Sequence, residues 1–238
     1  GRLVDGWLRI SLNNTLAVIE AGHDVAPSQF EPNIPVSEQA LRHELDILFL
    51  QHRLEARYGL SELFELGMEL PFRVTVIDAT FSDENGNELQ DFTSVHHRDE
   101  VVAGVADPSL KLYMHVLNPK GSLDSRLVVS AGVGFPVGKT EDNPFEAGAE
   151  GRDHQHMFFG YGIFTPRVSI RWTKPFSEWS LGLWADSTLS FYENDDGYQP
   201  PSTHVFGTGV QSNLGLDHWW FGLEPRMMVE VAARWDGE

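Results

Sequence analysis

Cysteine is absent from the 238 residues, which removes a disulfide framework, a thiolate metal site and a cysteine nucleophile together. No stretch approaches the roughly 18 consecutive apolar residues of a membrane helix, so a helical membrane protein is excluded. Basic residues are scarce, at 17 against 35 acidic ones, and the formal net charge is -18. A surface of that sign repels phosphate, so nucleic acid is not an expected partner. No Gly-x-Ser-x-Gly elbow, phosphate loop or His-Glu-x-x-His pair occurs. No catalytic residue is assigned, no cofactor is implied, and an enzyme is not expected. No secretory leader stands at Gly1, so the chain is expected to be either cytosolic or the mature part of an exported protein.

What is present is alternation. Mean hydropathy is slightly negative, as in a soluble protein, but a barrel with one apolar and one polar face averages to the same value. Leu48, Leu50, His52, Leu54, Ala56 and Tyr58 share one parity, opposite Gln51, Arg53, Glu55 and Arg57. After Leu60-Ser61-Glu62 the pattern resumes: Phe64, Leu66, Met68, Leu70, Phe72, Val74 and Val76 oppose Glu65, Gly67, Glu69 and Arg73. Period two over this length predicts two strands. Closing the hairpin with Gly59 opposite Leu63 leaves a three-residue turn and sets Arg57 against Glu65 and Arg53 against Glu69. Apolar pairs then fill the other face, as cross-strand energetics prefer. A helix over Glu38 to Arg57, with Leu41, Leu45, Leu48 and His52 on one stripe and Ser37 as cap, competes with the first strand. The pairing favours the hairpin.

The same design recurs around Leu110 to Val116, Arg126 to Phe135, Arg167 to Thr173, Trp179 to Phe191 and Trp219 to Trp235. Fainter segments lie at Gln155 to Phe164 and Val205 to Leu214, and Gly6 to Leu12 supplies a first strand. Short connections (Leu60 to Glu62, Asn118 to Asp124, Lys174 to Glu178, Gly215 to His218) alternate with long ones (Ser82 to Ala103, Lys139 to Asp153, Glu193 to Thr203). Short turns at one end and long loops at the other belong to outer-membrane barrels. The expectation is therefore a single all-β domain over residues 1–238, an antiparallel up-and-down transmembrane β-barrel of about 10 to 12 strands. If Phe158 and Val168 share one strand, the count is odd. A closing strand is then expected to be missing or to come from a partner protein chain, and the strands of Ile10 and Val229 should not pair.

In such a barrel the charged strand faces line the lumen. The lumen-lining set is Arg53, Glu55, Arg57, Glu65, Glu69, Arg73, Arg126, Arg167, Arg171, Asp186, Glu224, Arg226 and Glu230. Its sign is mixed, so structural ion pairs are expected and strong anion selectivity is not. Tyr58, Phe64, Trp172, Trp179, Trp219 and Trp220 gather near the short turns, as an interfacial aromatic belt would. His154 and His156, two apart, are the candidate metal ligands, with no third ligand fixed.

Tyr58 to Phe72 (Tyr-Gly-Leu-Ser-Glu-Leu-Phe-Glu-Leu-Gly-Met-Glu-Leu-Pro-Phe) resembles a hairpin recurring in outer-membrane barrels, especially the family labelled MetA-pathway of phenol degradation and its transporter-like relatives. Gly104-Val105-Ala106-Asp107 resembles the Gly-x-Gly-Asp that opens their next strand, with Ala106 in place of the second glycine. Gly134 to Lys139 resembles their Leu-Pro-Thr-Gly-Lys, with Val137 in place of threonine, and His156 to Gly162 resembles the Gly-x-Gly strand that follows. The resemblance spans about Leu48 to Leu214 and carries no catalytic residue. It implies a bacterial outer-membrane channel or transporter for small, aromatic or apolar molecules, with outer-membrane lipid as surroundings. Two alternatives stay open. One is a structural or partner-binding barrel with a plugged lumen, and the other is a soluble β-barrel holding an apolar ligand.

Overall fold

A computed structural model describes residues 3, 5–24, 42–83, 85–90, 98–117, 125–152, 159–212 and 221–237. The elements in chain order are β1 (Leu8–Asp24), β2 (Arg42–Gly59), β3 (Phe64–Ser82), β4 (Glu100–Val105), β5 (Ser109–Leu117), β6 (Arg126–Gly134) and α1 (Pro144–Ala149). They continue with β7 (Thr165–Pro175), β8 (Trp179–Thr188), β9 (Tyr198–Gln199), β10 (Thr203–Ser212), β11 (Phe221–Leu223), β12 (Arg226–Glu230) and β13 (Arg234–Trp235). The chain is all-β, and its main sheet is antiparallel throughout and strongly curled into a half-barrel.

That sheet has nine strand positions, because two of them are interrupted. β4 and β5 both lie along β3, separated by Ala106-Asp107-Pro108, where proline removes a ladder donor. β11 and β12 both lie along β10, separated by Glu224-Pro225. Otherwise the strand positions of the main sheet follow chain order, as in a meander, while β9 pairs with β13 in a separate two-stranded sheet. The connections 60–63 and 176–178 lie at one end of the sheet, and the segments between β3 and β4, β6 and β7, and β8 and β10 lie at the other. Short and long connections are sorted by end, as the sequence predicts.

The hairpin of β2 and β3 forms, and no helix replaces its first half. Its faces are those expected, but its register is shifted by two residues. Gly59 lies opposite Glu65, Arg57 opposite Gly67 and Glu55 opposite Glu69. The turn has four residues, Leu60 to Leu63. The Ser61 hydroxyl accepts from the amides of Leu63 and Phe64, both at 3.2 Å, and holds that length. The second cause is steric. The Tyr113 ring lies over Gly67, where a Cβ would sit 2.7 Å from Cε2, and the Arg57 guanidinium stacks on the same ring at 4.0 Å. Opposite-charge pairing across the hairpin gives way to an arginine, a tyrosine and a glycine stacked in one layer.

Other boundaries differ too. The first strand continues through Asn13-Asn14-Thr15 to Asp24, and β4 lies within what reads as one long loop from Ser82 to Ala103. The expected strand at Gln155 to Phe164 is not one over its described part, 159–164. The connections Asn118 to Asp124 and Gly215 to His218, and Trp219 and Trp220, lie outside the described residues. Among the described residues β1 and β12 do not pair with each other, so the strands of Ile10 and Val229 stay apart as expected.

Burial is inverted relative to a soluble sandwich. On the convex face Leu66 is 37% exposed, Leu183 48% and Val229 46%, in line with expectation. Val129 is half-buried, flanked across the ladder by Met114 and Ile170. On the concave face Glu65, Ser109, Tyr113, His115, Ser130 and Thr165 are buried. Hydrophobic burial is confined largely to the long-loop end, at Ile77, Phe81, Ala147, Ile163 and Tyr198. There Tyr198 in β9 packs on Trp235 in β13, with ring centroids 4.6 Å apart.

Two outcomes follow. Gly67→Val places a branched side chain where the Tyr113 ring lies, and is expected to cost about 1–3 kcal/mol in urea unfolding followed by tryptophan fluorescence. An unchanged midpoint would show that the ring is not what holds the register. Burial pushes the Tyr198 phenol from its ordinary 10.0 up to about 12, so the fold binds that proton more tightly than the unfolded chain does. Its contribution is therefore complete below about pH 10 and lost as pH rises to about 12. The unfolding midpoint of wild type should fall relative to that of Tyr198→Phe across this window, and a constant difference would contradict the assignment.

Candidate functional site

The concave face is built in layers. At the short-turn end Glu65, on β3 and 2% exposed, accepts at Oε1 from the Leu3 backbone amide at 2.7 Å and pairs with His115 Nε2 of β5 at 2.9 Å. Arg57 pairs with Glu55 of its own strand while stacking on Tyr113. The Ser11 hydroxyl of β1 donates to Glu55 at 3.4 Å. These groups bring four strands, β1, β2, β3 and β5, and the segment before β1 together at one end of the sheet.

One level higher, Glu69 accepts from Lys111 Nζ at 3.0 Å and from the Ser109 hydroxyl at 3.4 Å, with Arg167 of β7 at 3.9 Å. Above Glu69 lies a cavity of about 150 Å³. Its walls carry Arg53 of β2, Arg73 of β3 and Arg167, three guanidiniums from separate strands. Thr188 at the end of β8 and Thr203 at the start of β10 line the same space. Curling thus brings side chains of β2 and β10, each one strand from an edge, around a single cavity.

The segment between β6 and β7 closes this cavity from above with Phe159 and Tyr161. Asp107 holds the segment in place. Its Oδ1 accepts from Val137 N at 3.1 Å and Gly138 N at 2.9 Å, and its Oδ2 from Tyr161 N at 2.9 Å. A buried carboxylate that receives three backbone N–H groups is fully solvated by protein. Gly138 and Gly160 pack backbone on backbone, and a Cβ at Gly160 would lie 2.6 Å from Asp107 Oδ1. Only glycine fits there. Phe159 in turn covers Gly104 on the inner face of β4.

The predicted lumen residues divide by place. Arg53, Glu55, Arg57, Glu65, Glu69, Arg73 and Arg167 come together on the concave face, four of them in the two ion-paired layers and Arg53, Arg73 and Arg167 at the cavity. Arg126 and Arg171 share that face but are exposed, and Asp186 is half-buried. Arg171 and Arg226 approach the Trp184 ring at 5.8 and 5.3 Å. Glu224, Arg226 and Glu230 belong to the β11–β12 edge and are exposed, with Arg226 Nη2 2.9 Å from Glu224 Oε1. His154 and His156 lie outside the described residues. Groups of three or more potential metal-binding side chains are not found among the described residues.

Sequence reasoning missed Lys111, Tyr113, His115, Asp107 and Trp184 as inward groups. For the first three the parity opposite Leu110, Leu112 and Met114 was available. Asp107 carried a different signal, a carboxylate directly before a proline at a strand break. No family model matches the chain, and no curated protein matches it.

Asp107→Asn keeps one acceptor but turns an NH₂ group toward backbone N–H donors, at an expected cost of about 1–3 kcal/mol. Amide exchange at Gly138 and Tyr161 should accelerate while that of Ser169, in the β6–β7 ladder, stays slow. Retained protection at Gly138 and Tyr161 would mean that Asp107 does not hold the loop.

Proposed function

We propose that this chain forms the wall of an outer-membrane channel or transporter for small molecules. The observation that carries the proposal is the inverted burial: charged groups buried on the concave face, with apolar side chains exposed on the convex one. Lipid is the solvent for which that arrangement is favourable. The outward side chains of β3 are unbroken from Leu66 to Val76, six in succession. Ten steps of about 3.3 Å, tilted by about 40°, give an apolar band about 25 Å tall, the height of an outer-membrane barrel's lipid-facing belt. One step beyond Val76 on that face, Asp78 stands beside Asp46 and Asp46 beside Glu20, a rung of carboxylates that marks the edge of the band. At the other edge, Phe176 stacks on Trp179 at 3.8 Å beside a short turn, and exposed Trp7 and Tyr58 lie at the same end.

An apolar ligand inside a soluble barrel fits poorly, because the concave face offers it arginines and carboxylates. The plugged-lumen reading has one specific support: the Leu3 amide reaches Glu65 from outside the strands and helps fill the short-turn end. Planar-bilayer recording separates the two after heat-modifiable gel migration has established a detergent-stable barrel. A channel gives discrete conductance steps, increased about twofold or more in Phe159→Ala, since Phe159 narrows the cavity. Insertion without conductance in either protein would establish the plugged form, and failure to insert at all would overturn the membrane assignment.

A further inference from the structure

We propose that the cavity between Arg53, Arg73 and Arg167 binds the carboxylate of a small organic anion with a short apolar body. This deepens the channel assignment by naming the solute class, and it rests on that reading for its transport meaning only.

The first observation is local charge. In a chain of net charge -18, three guanidiniums from three strands meet at one cavity of about 150 Å³. Among the described residues two carboxylates line it, and both are engaged elsewhere. Glu69 is held by Lys111 and Ser109 from below, and Asp107 by three backbone amides. Arg73 Nε donates to Gln51 Oε1 at 2.9 Å, so the argument rests on Arg53 and Arg167. Arg167 reaches Glu69 only at 3.9 Å, beyond hydrogen-bond distance, and Arg53 has no ion pair within 4 Å among the described residues. A guanidinium fork in a half-enclosed site, with its carboxylate out of reach, is built to take a planar anion.

The second observation is an unmet donor. Arg167 Nε is buried and has no hydrogen-bond partner among the described residues, and neither has the hydroxyl of Thr165, which is 1% exposed. Both pack against Gly134, where a Cβ would overlap Thr165 Oγ1 and lie 3.3 Å from Arg167 Nε, and of the two residues it is Arg167 that also lines the cavity. Leaving such groups unpaired costs about as much as a hydrogen bond contributes, so a ligand oxygen that reaches Arg167 gains what the free protein forgoes.

The third is the shape of the remaining wall. Phe159, Pro71, Pro201 and Ala106 line the same cavity as the arginines, with Pro71 directly across the ladder from Arg53. A site lined by both cations and apolar groups fits a carboxylate with a hydrocarbon tail better than inorganic phosphate. Its volume is close to that of cavities known to hold a benzene-sized molecule.

The test uses the purified full chain in detergent micelles, titrated calorimetrically with butyrate, its neutral isostere butyramide, and inorganic phosphate. Butyrate should bind, at least tenfold more tightly than either comparison ligand, and weaken as salt rises. Arg53→Gln and Arg167→Gln should each weaken butyrate about tenfold, with Arg53→Lys intermediate. Arg152→Gln, on an exposed loop, should leave binding unchanged. Heat-modifiable migration of each variant establishes that it is folded, so a loss of binding is attributable to the site. Butyramide binding as tightly as butyrate, folded glutamine variants with unaltered affinity, or no butyrate binding by wild type would each overturn the proposal. Phosphate binding most tightly would overturn the apolar part of it. Because binding is read without a membrane, these results stand apart from conductance: a conducting chain that ignores butyrate refutes the solute class alone, and a non-conducting chain that binds it refutes the channel alone.

Discussion

Burying ionisable groups on the inside of a curled sheet is tolerable only if each is matched, and the concave face is organised around that requirement. Moving a carboxylate such as Glu65 out of water costs several kcal/mol unless hydrogen bonds replace the lost solvent. It receives two, from the Leu3 amide and from His115. The same need draws Lys111, Ser109 and Arg167 around Glu69, and three amides around Asp107. These contacts link β3 to β5 and β7, and the loop before β7 to the break between β4 and β5. The convex face, by contrast, makes few specific contacts. Where polar groups do interrupt it they satisfy one another, as Asn14 does with His52 at 2.7 Å and Ser187 with His204 at 2.9 Å.

Glycine determines how closely these charged layers stack. Gly67 allows the Tyr113 ring to lie flat beneath Arg57, and Gly207 makes room for Trp184 in the same way on β10. In both cases an aromatic ring covers the bare backbone of a neighbouring strand, which restores the packing that glycine gives up. The cation then rests on the ring, Arg57 on Tyr113 and Arg226 near Trp184. An inward arginine is thereby kept in a defined place without a second carboxylate, and an acidic chain retains a cationic level inside.

Most strands and their faces were legible because both depend on period two, which a half-buried strand imposes on its own sequence, whereas the faint glycine-containing segment at Gln155 to Phe164 misled and β4 was read as loop. Register was not legible. A slip of two residues preserves both faces, so alternation cannot detect it, and the preference for Arg57 opposite Glu65 pointed to the wrong alignment. The deciding contact came from Tyr113 on β5, a residue remote in sequence. β1 was read short for a related reason: Asn13-Asn14-Thr15 breaks the apolar parity, yet β2 pairs with it throughout. The cavity was the least legible feature. Arg53, Arg73 and Arg167 belong to strands whose separation around the curl no local pattern reveals, and the mixed sign of the whole set concealed their gathering at one level.

Strand parity adds a last constraint. Nine positions that alternate in direction leave β1 and the β11–β12 edge running the same way. Direct contact between those edges would be a parallel pair in an otherwise antiparallel ring. An antiparallel ring needs an odd number of further strands between them, so that the total becomes even as in single-chain bacterial barrels. A second copy related by a two-fold axis along the strands does not supply this, since it again sets β1 beside β12 in parallel. A two-fold axis across the strands does give antiparallel contacts, β1 to β1 and β12 to β12. It also inverts one copy, placing its long loops beside the other's short turns. For the proposed outer-membrane setting, with its two different surfaces, that arrangement conflicts with the sorting of loops by end that both copies share. If the chain is part of a closed outer-membrane barrel, as proposed, strands added to the nine described positions must be odd in number and have their loops sorted in the same sense. Exposed Leu8, Ile10, Leu12, Leu16 and Val18 along the outward side of β1 mark the edge they would meet.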